Sequence, residues 1–266
     1  MRSSYKRRRR RKMWKKIRSI LLIVAMLILI IALIIGGYNF IRFRDKTETE
    51  KQVLKHPWRY PKELINLMKE NPETQYFVAG YNKNREKPLK ILLSKKETTA
   101  KIPHFFQWDR RFGYTTYNED YFAITGSAPT CLSMVSVALS KNPLATPVAI
   151  AEYIEENNYL VANKLNDSFM TNGISYFDIE GQTIKKELQA IKDNLANKKF
   201  LIAQVSGETF LSMDQTEHYI VLYKIDHNDK LYILDPNSKT NSDKVWDYSE
   251  LSSVIKKIWA YSPIDS

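Results

Sequence analysis

The sequence contains little cysteine, histidine or glycine, and each scarcity excludes a class of site. With one cysteine in 266 residues, Cys131, the chain cannot form an intramolecular disulfide. This cysteine and four scattered histidines lack the spacing of a zinc site, so we predict no metal. The eight glycines form no glycine-rich phosphate loop, and we predict no cofactor.

Positive charge is concentrated at the N-terminus. Residues 1–18 contain eleven lysine or arginine side chains and no acidic one, and they supply nearly all of the net charge of +12. The remainder of the chain is almost neutral. The run RRRRRK at 7–12 lacks interleaved aromatic residues, so we predict attraction to anionic inner-leaflet lipid and no nucleic-acid partner.

A long apolar run follows the basic block. Residues 20–35 read ILLIVAMLILIIALII, and with their flanks they reach the length that a helix needs to span a membrane. The positive-inside rule places the N-terminus in the cytoplasm and the remainder outside the cell, as a single-pass cell-membrane protein. A cleaved signal peptide is the alternative. The run is long for one and no A-x-A-like site follows it, so we expect an uncleaved anchor.

Changes in composition divide the chain into four predicted parts. A juxtamembrane linker with one short helix from Pro61 separates the anchor from a compact C-terminal domain. Within the linker we predict irregular structure over 80–101, with one strand near 89–93. The four parts are the basic cytoplasmic tail 1–18, the transmembrane anchor 19–41, the linker 42–100 and the domain 101–266.

In the C-terminal domain, helical patterns precede strand patterns. The apolar spacing at 127–140 predicts a helix with one buried face. A second helix is predicted to begin at Thr146-Pro147. The apolar series Ile184, Leu188, Ile191 and Leu195 predicts a third. Short β-branched and aromatic runs predict strands at 199–206, 218–225 and 230–235. A capping-box pattern at 247–250 opens another helix, and IWAYS closes the chain as a strand. This order predicts an α+β fold with two lobes, a helical lobe and an antiparallel sheet.

Two side chains in the stretch ITGSAPTCLSMVSV (124–137) are candidate nucleophiles, Ser127 and Cys131. Cys131 lies on the apolar helix face, where a small buried core residue is the simpler interpretation. Ser127 opens the helix, where a capping or first-turn hydroxyl is equally ordinary. The residues alone leave both candidates open.

A nucleophile needs a base, a group that orients the base, and donors for the oxyanion. His218 is the candidate base because it opens an apolar strand and could face a cleft. Asp235 ends the next predicted strand, so hairpin pairing could bring its carboxylate beside His218. Gln107 could supply an amide donor. The simpler alternatives are a hydrogen-bonded strand histidine and an ordinary turn at 235–238.

Four blocks of the chain, in order, resemble the C-thirty-nine-like cysteine peptidases, papain-like relatives of the bacteriocin-leader-processing peptidases. The blocks are PHFFQWDRRFGY, TGSAPTCLSMV, HYIVLYKI and LYILDPNS, and the resemblance covers about residues 101–263. It implies a papain-like two-lobe domain. It also implies that His218 is the base, Asp235 the orienting carboxylate and Gln107 the oxyanion donor.

The resemblance places a serine at the nucleophile position. The family's helix-opening block reads close to GCGPTSLAMV, and its cysteine is the nucleophile. Gly126 and the Pro-Thr pair at 129–130 match this block, whereas the cysteine position holds Ser127. Cys131 falls four residues later, at a position without catalytic duty in the family. Glu217 stands where the family often has glycine before the histidine.

The serine decides the predicted function. A cysteine at a helix N-terminus is acidified by the helix dipole and an imidazolium, whereas a serine needs a base poised to take its proton. We therefore expect a membrane-anchored, extracytoplasmic pseudoenzyme that binds a peptide, a protein or a cell-envelope component in its cleft. The alternatives are an active hydrolase using Ser127 with His218 and Asp235, a cysteine peptidase using Cys131, and a structural role unrelated to the cleft.

Overall fold

A computed structural model describes residues 2–87, 91–207, 210 and 217–264 of the chain. It contains two compact units, Met1–Lys51 and Gln52–Ser266. The first unit consists mainly of one long helix, Arg2–Phe43 (α1). Within it, Met13–Tyr38 is long and apolar enough to cross a membrane, with a mean hydropathy of 3.3. The predicted apolar run is therefore a helix of spanning length.

The later helices are short. In chain order they are α2 Glu48–Lys55, α3 Lys62–Glu70, α4 Gln75–Ala79, α5 Tyr81–Asn84, α6 Lys95–Thr99, α7 Phe122–Thr125, α8 Ser127–Ser140, α9 Pro147–Glu156, α10 Asp167–Thr171, α11 Leu188–Ala196, α12 Lys239–Asp243 and α13 Tyr248–Val254. Single 3-10 turns occupy Pro57–Arg59, Pro72–Thr74 and Gly173–Phe177.

The strands form one six-stranded sheet and two small hairpins, all antiparallel. They are β1 Thr116–Tyr117, β2 Asp120–Tyr121, β3 Leu160–Val161, β4 Lys164–Leu165, β5 Ile179–Ile184, β6 Phe200–Val205, β7 His218–Ile225, β8 Lys230–Leu234, β9 Val245–Asp247 and β10 Ile255–Pro263. The large sheet has the order β5-β10-β6-β7-β8-β9, while β1–β2 and β3–β4 form the hairpins. The predicted fold class, helices combined with an antiparallel sheet, is confirmed.

Each face of the sheet covers a separate hydrophobic core, because side chains alternate between the faces along each strand. On β7, Tyr219 and Val221 belong to the first core, which contains the apolar side chains of α8 and α9. Ile220 and Leu222 belong to the second core, with residues of α11 and α13. β7 is therefore buried from both sides, which explains why its sequence is almost continuously apolar.

Helix α8 has the predicted bounds but is more deeply buried than predicted. We expected one apolar face, yet every residue from Ser127 to Ala138 is buried. The two serines inside the helix have partners on other segments: Ser133 Oγ donates to the Ala145 carbonyl at 2.6 Å and Ser136 Oγ to the Phe177 carbonyl at 2.7 Å. Because these hydroxyls are hydrogen-bonded, the helix can be buried on all sides.

Three local predictions differ from the structure. Ile184 ends β5 and pairs with Ile258 of β10, so the helix of this region begins only at Leu188. The helix after Asp247 forms without a side-chain cap, because the Asp247 carboxylate accepts a hydrogen bond from Lys230 Nζ at 2.5 Å. The segment 80–101, predicted to be irregular with one strand, contains the short helices α5 and α6, and a capping box of Ser94 with Glu97 begins α6.

The predicted strand at 89–93 lies partly outside the described residues. Positions 88–90 are not described, and residues 91–94 form neither helix nor strand. The predicted helix from Pro61 is present as α3, with Pro61 as its N-cap residue.

Part of the predicted linker packs onto the rest of the second unit. Tyr114 Oη donates a hydrogen bond to the Phe77 carbonyl at 2.5 Å, and their rings stack. Arg111 pairs with Glu97 at 2.8 Å. The compact unit therefore begins near residue 52, while the domain limit at residue 101 stays a prediction.

Candidate functional site

Ser127 is the first residue of α8, and tight packing fixes the turn that precedes it. α7 ends at Thr125, so only Gly126 separates the two helices. A side chain at Gly126 would place its Cβ 2.4 Å from the Phe122 ring, which explains the glycine. Thr130 Oγ1 donates to the Gly126 carbonyl at 2.6 Å and holds this turn against the helix. The Ser127 hydroxyl thus stands at the positive end of the helix dipole.

Ser127 lines a cleft of about 340 Å³. Its side chain is only 3% exposed, and its hydroxyl forms no hydrogen bond with any residue that the structure describes. The cleft lies between the start of α8, the tips of the two small hairpins and the start of β7. Its wall consists of Tyr117, Asn118, Glu119, Asp120, Ile124, Thr125, Ser127, Ala128, Leu160, Asn163, Leu165, Glu217 and Tyr219.

The structure brings His218 and Asp235 together. His218 opens β7 and Asp235 directly follows β8, the neighbouring strand. The Nε2 atom of His218 lies 2.8 Å from Oδ1 of Asp235, and both side chains are essentially inaccessible to solvent. An ionised carboxylate only accepts hydrogen bonds, so Nε2 carries the proton and Nδ1 of a neutral ring has the lone pair. This tautomer suits a general base.

Asp235 is held by the turn that follows it. The amide of Asn237 donates to Oδ1 at 2.8 Å, and the side-chain amide of Asn241 donates to Oδ2 at 2.8 Å. The Asp235 amide in turn donates to the Ser242 hydroxyl at 2.8 Å. Both carboxylate oxygens therefore have donors besides His218, which fixes the carboxylate orientation in a buried site.

The Nδ1 atom of His218 is buried. Its ring lies 6.4 Å from that of Phe210, a second-core residue, and it shares a strand face with Ile220. Nδ1 has no hydrogen-bond partner among the described residues. The two chain neighbours of His218, Glu217 and Tyr219, line the cleft with Ser127, whereas His218 is not among the described residues of the cleft wall.

Gln107 lies between α7 and the Asp235 turn. Its main-chain amide donates to the Pro236 carbonyl at 2.8 Å. Its side-chain Nε2 donates to the carbonyls of Ala123 at 2.8 Å and Ile124 at 3.2 Å. A side-chain amide has two protons, and here both are engaged. The Oε1 atom is buried without a partner among the described residues.

Cys131 lies one helical turn beyond Ser127, in the first core. It is fully buried, and its thiol donates to the Tyr219 carbonyl at 3.2 Å. Burial raises the pKa of this thiol well above its ordinary value, and the negative charge of Asp235 raises it further. Because the thiolate is the nucleophilic form, this environment suppresses the reactivity of Cys131.

A comparison with protein-family profiles matches residues 99–263 to the Peptidase_C39 like family. This match covers more than half of the chain. The chain belongs to the Peptidase_C39 like family. A search of the curated proteins gave no significant match, and a search of the solved structures gave none either. Ser127, His218, Asp235 and Gln107 all lie inside the matched region.

Some residues around the site were not predicted. Asn241 binds the Asp235 carboxylate, and His104 Nε2 lies 3.2 Å from the Asp235 carbonyl. Asn71, outside the region matched to the Peptidase_C39 like family, donates to the Asn237 carbonyl at 2.6 Å. A histidine after Pro103 gave a weak signal, whereas no local pattern marks Asn71 or Asn241, because their roles depend on contacts between distant segments.

Proposed function

We propose that this protein is a membrane-anchored member of the Peptidase_C39 like family with little or no peptidase activity. Its cleft binds a peptide or a cell-envelope component. The observation that carries this proposal is the serine at the first residue of α8, where the family resemblance expects the nucleophilic cysteine. A serine hydroxyl gains little from the helix dipole, because its ionisation is too unfavourable near neutral pH.

The only thiol of the chain is badly placed to substitute for the missing cysteine. Cys131 is fully buried, and both burial and Asp235 raise its pKa. Its hydrogen bond to Tyr219 directs the sulfur into the core. Attack by this thiol would require the start of α8 to rearrange, at the expense of a close-packed interior.

The neighbouring groups also favour reduced activity. The His218 ring is buried and does not line the cleft that Ser127 lines. The side-chain amide of Gln107 already donates to two main-chain carbonyls. An oxyanion would have to replace these carbonyls as the acceptor. In this proposal Ser127, His218, Asp235 and Gln107 occupy the inherited positions of nucleophile, base, orienting group and oxyanion donor.

The apolar segment of α1 supports the proposed location. Its spanning segment Met13–Tyr38 follows a block of basic residues, and positive charge is retained on the cytoplasmic side. We propose that the tail 1–18 is cytoplasmic, that the anchor 19–41 crosses the cell membrane once, and that the domain 101–266 is extracellular. A reporter fused after Ser266 should be active only outside the cell membrane.

A second candidate function is hydrolysis by Ser127 itself. The observation that favours it is the short His218–Asp235 hydrogen bond, which retains the tautomer needed in a base. In this alternative the His218 ring turns toward the cleft and Nδ1 takes the Ser127 proton during attack. Asp235 then stabilises the imidazolium.

Serine substitutions on the full chain in detergent test the proposal. We expect no turnover of a fluorogenic peptide pool by the unmodified chain, and ligand binding that survives Ser127→Ala. Turnover by the unmodified chain that Ser127→Ala abolishes would instead establish the serine hydrolase.

Ser127→Cys then separates two causes of inactivity. Turnover gained by Ser127→Cys, but not by Ser140→Cys at the other end of α8, would assign the loss to the missing thiol. If Ser127→Cys also stays inactive, the buried His218 ring contributes to the loss.

A further inference from the structure

A second cavity adjoins the Ser127 cleft. This cavity measures about 240 Å³ and is lined by Lys62, Glu63, Asn66, Leu67, Glu70, Asp120 and Ile124. Asp120 and Ile124 also line the cleft, so the two spaces share a wall. We call the combined space the acidic groove. It extends from the start of α8 to the polar side of α3, which lies outside the family match.

Carboxylates dominate the wall of the acidic groove. Glu119, Asp120 and Glu217 line the cleft, and none of its described lining residues is lysine or arginine. Glu63 and Glu70 line the second cavity, where Lys62 is the basic side chain. This excess of negative charge stands out because the chain after residue 18 is almost neutral overall. Clefts lined by one sign of charge concentrate ligands of the other sign.

The described hydrogen-bond partners of Glu119 and Glu217 carry no charge. Glu119 Oε2 accepts a hydrogen bond from the side chain of Asn163 at 3.0 Å, and Glu217 Oε2 lies 3.5 Å from the Tyr219 hydroxyl. Both donors are neutral. Among the ion pairs of the described residues, none involves Glu63, Glu70, Glu119 or Glu217.

Ser127 provides a second, independent indication of a ligand. The residue is 97% buried, since only 3% of its surface is exposed, and its hydroxyl has no hydrogen-bond partner among the described residues. The hydroxyl is not one of the fully enclosed polar atoms that lack a partner, so the small exposed part of the residue lies at the groove that Ser127 lines. A ligand in the groove would supply that partner through a polar main-chain or side-chain group.

We propose that the acidic groove binds an extended peptide segment that carries lysine side chains. The peptide main chain meets Ser127, and the ammonium groups lie against Glu217 and Glu119 in the cleft and against Glu63 and Glu70 beyond it. Two cavities in series suit an extended segment, in which successive side chains are well separated. This inference rests on the proposed function, because it specifies the ligand of the same cleft.

Fluorescence anisotropy on the full chain in zwitterionic detergent tests this inference. The probes are a labelled peptide of alternating glycine and lysine and a peptide of equal length with glutamine for lysine. The basic tail 1–18 repels the lysine peptide, so a preference for lysine cannot arise there. We expect the lysine peptide to bind more tightly. Glu217→Gln and Glu119→Gln should each weaken it about two- to fivefold, as expected for partly exposed ion pairs.

A matched control is Glu152→Gln, which removes an exposed carboxylate of α9 outside both cavities. It should leave the affinity for the lysine peptide unchanged. Raising the salt concentration should weaken the lysine peptide more than the glutamine peptide, since exposed charges are screened.

The outcomes separate this inference from the proposed function. Equal affinity for the two peptides, or equal effects of Glu217→Gln and Glu152→Gln, would overturn the lysine preference while peptide binding stands. Binding of chitosan oligomers in preference to the lysine peptide would overturn a peptide ligand in favour of an amine-bearing polysaccharide. Failure of every probe to bind would overturn both this inference and the proposed binding function.

Discussion

Glu73 holds the turn that positions Asp235, although 167 residues separate it from Thr240. The Glu73 carboxylate accepts hydrogen bonds from the Thr240 hydroxyl at 2.7 Å and amide at 3.0 Å, and from the Lys239 amide at 2.7 Å. The Ser238 hydroxyl adds a fourth at 3.1 Å. A segment outside the family match is therefore fastened to the turn between β8 and α12.

Replacing Glu73 with glutamine should loosen this turn. A neutral amide is a weaker acceptor, and hydrogen bonds to charged groups contribute about 1.5–3 kcal/mol each. We expect faster amide hydrogen exchange at 237–241 and a lower midpoint of urea unfolding. Glu152→Gln, at an exposed position with no described partner, is the control and should change neither. If amide exchange at 237–241 were unchanged in Glu73→Gln, Glu73 would not stabilise this turn.

The same carboxylate predicts a pH dependence. Burial alone would raise the pKa of Glu73, but the hydrogen bonds from Thr240, Lys239 and Ser238 outweigh it, and the pKa falls below its ordinary value of 4.5. A lowered native pKa stabilises the fold above that ordinary value, and the contribution is lost as pH falls through the native pKa.

Urea unfolding of the unmodified chain and Glu73→Gln, measured between pH 7 and pH 3, checks this sign. The difference between the two midpoints should be constant down to about pH 4.5 and shrink below it, because protonated glutamate resembles glutamine. A difference that grows toward low pH would show that the carboxylate destabilises the fold.

Cys131 should react only when the chain unfolds. Its thiol is fully buried and its pKa is raised, so iodoacetamide should label the native chain very slowly even at pH 8. Full labelling in denaturant provides the reference, because the chain has a single thiol. Ser127→Cys adds a thiol on the cleft wall, which should be labelled faster than Cys131. Rapid native labelling of the unmodified chain, with an apparent pKa below the free-thiol value, would make Cys131 the reactive group.

Asp235→Ala should destabilise the fold whether or not the protein has activity. It leaves His218 Nε2, the Asn237 amide and the Asn241 side chain without their shared acceptor in a buried site. Breaking a buried charged network costs about 3–5 kcal/mol. Urea unfolding measures the loss, and Asp243→Ala, at an exposed position at the end of α12, is the comparison. A change no larger than that of Asp243→Ala would mean that the His218–Asp235 contact contributes little to stability.

Sequence patterns that extend over only a few residues predicted the local secondary structure well. The Thr146-Pro147 start produced α9, with the Thr146 hydroxyl accepting a hydrogen bond from Ala149 at 3.1 Å. The apolar spacing after Ser127 produced α8 with the predicted bounds. The strands β6, β7 and β8 lie within one residue of their predicted limits. Helix caps, apolar periodicity and short turns act over a few residues, so the local sequence determines them.

Predictions that ignored distant partners failed. The apolar spacing from Ile184 to Leu195 indicated a single helix, but Ile184 pairs with Ile258 and belongs to a strand. The pattern at 247–250 did not form a capping box, since Lys230 engages Asp247 instead. In both cases a contact between segments far apart in the chain overrode a weak local preference.

The sequence by itself determined the apolar spanning helix, the helix that Ser127 opens and the adjacency of His218 and Asp235 on neighbouring strands. Only the tertiary structure decided that the His218 ring is buried, that Cys131 points into a core, and that Glu73 fastens the Asp235 turn. The first group depends on periodicity and on the antiparallel pairing of consecutive strands. The second depends on which face of the sheet each helix covers, and that is settled by packing of the whole chain.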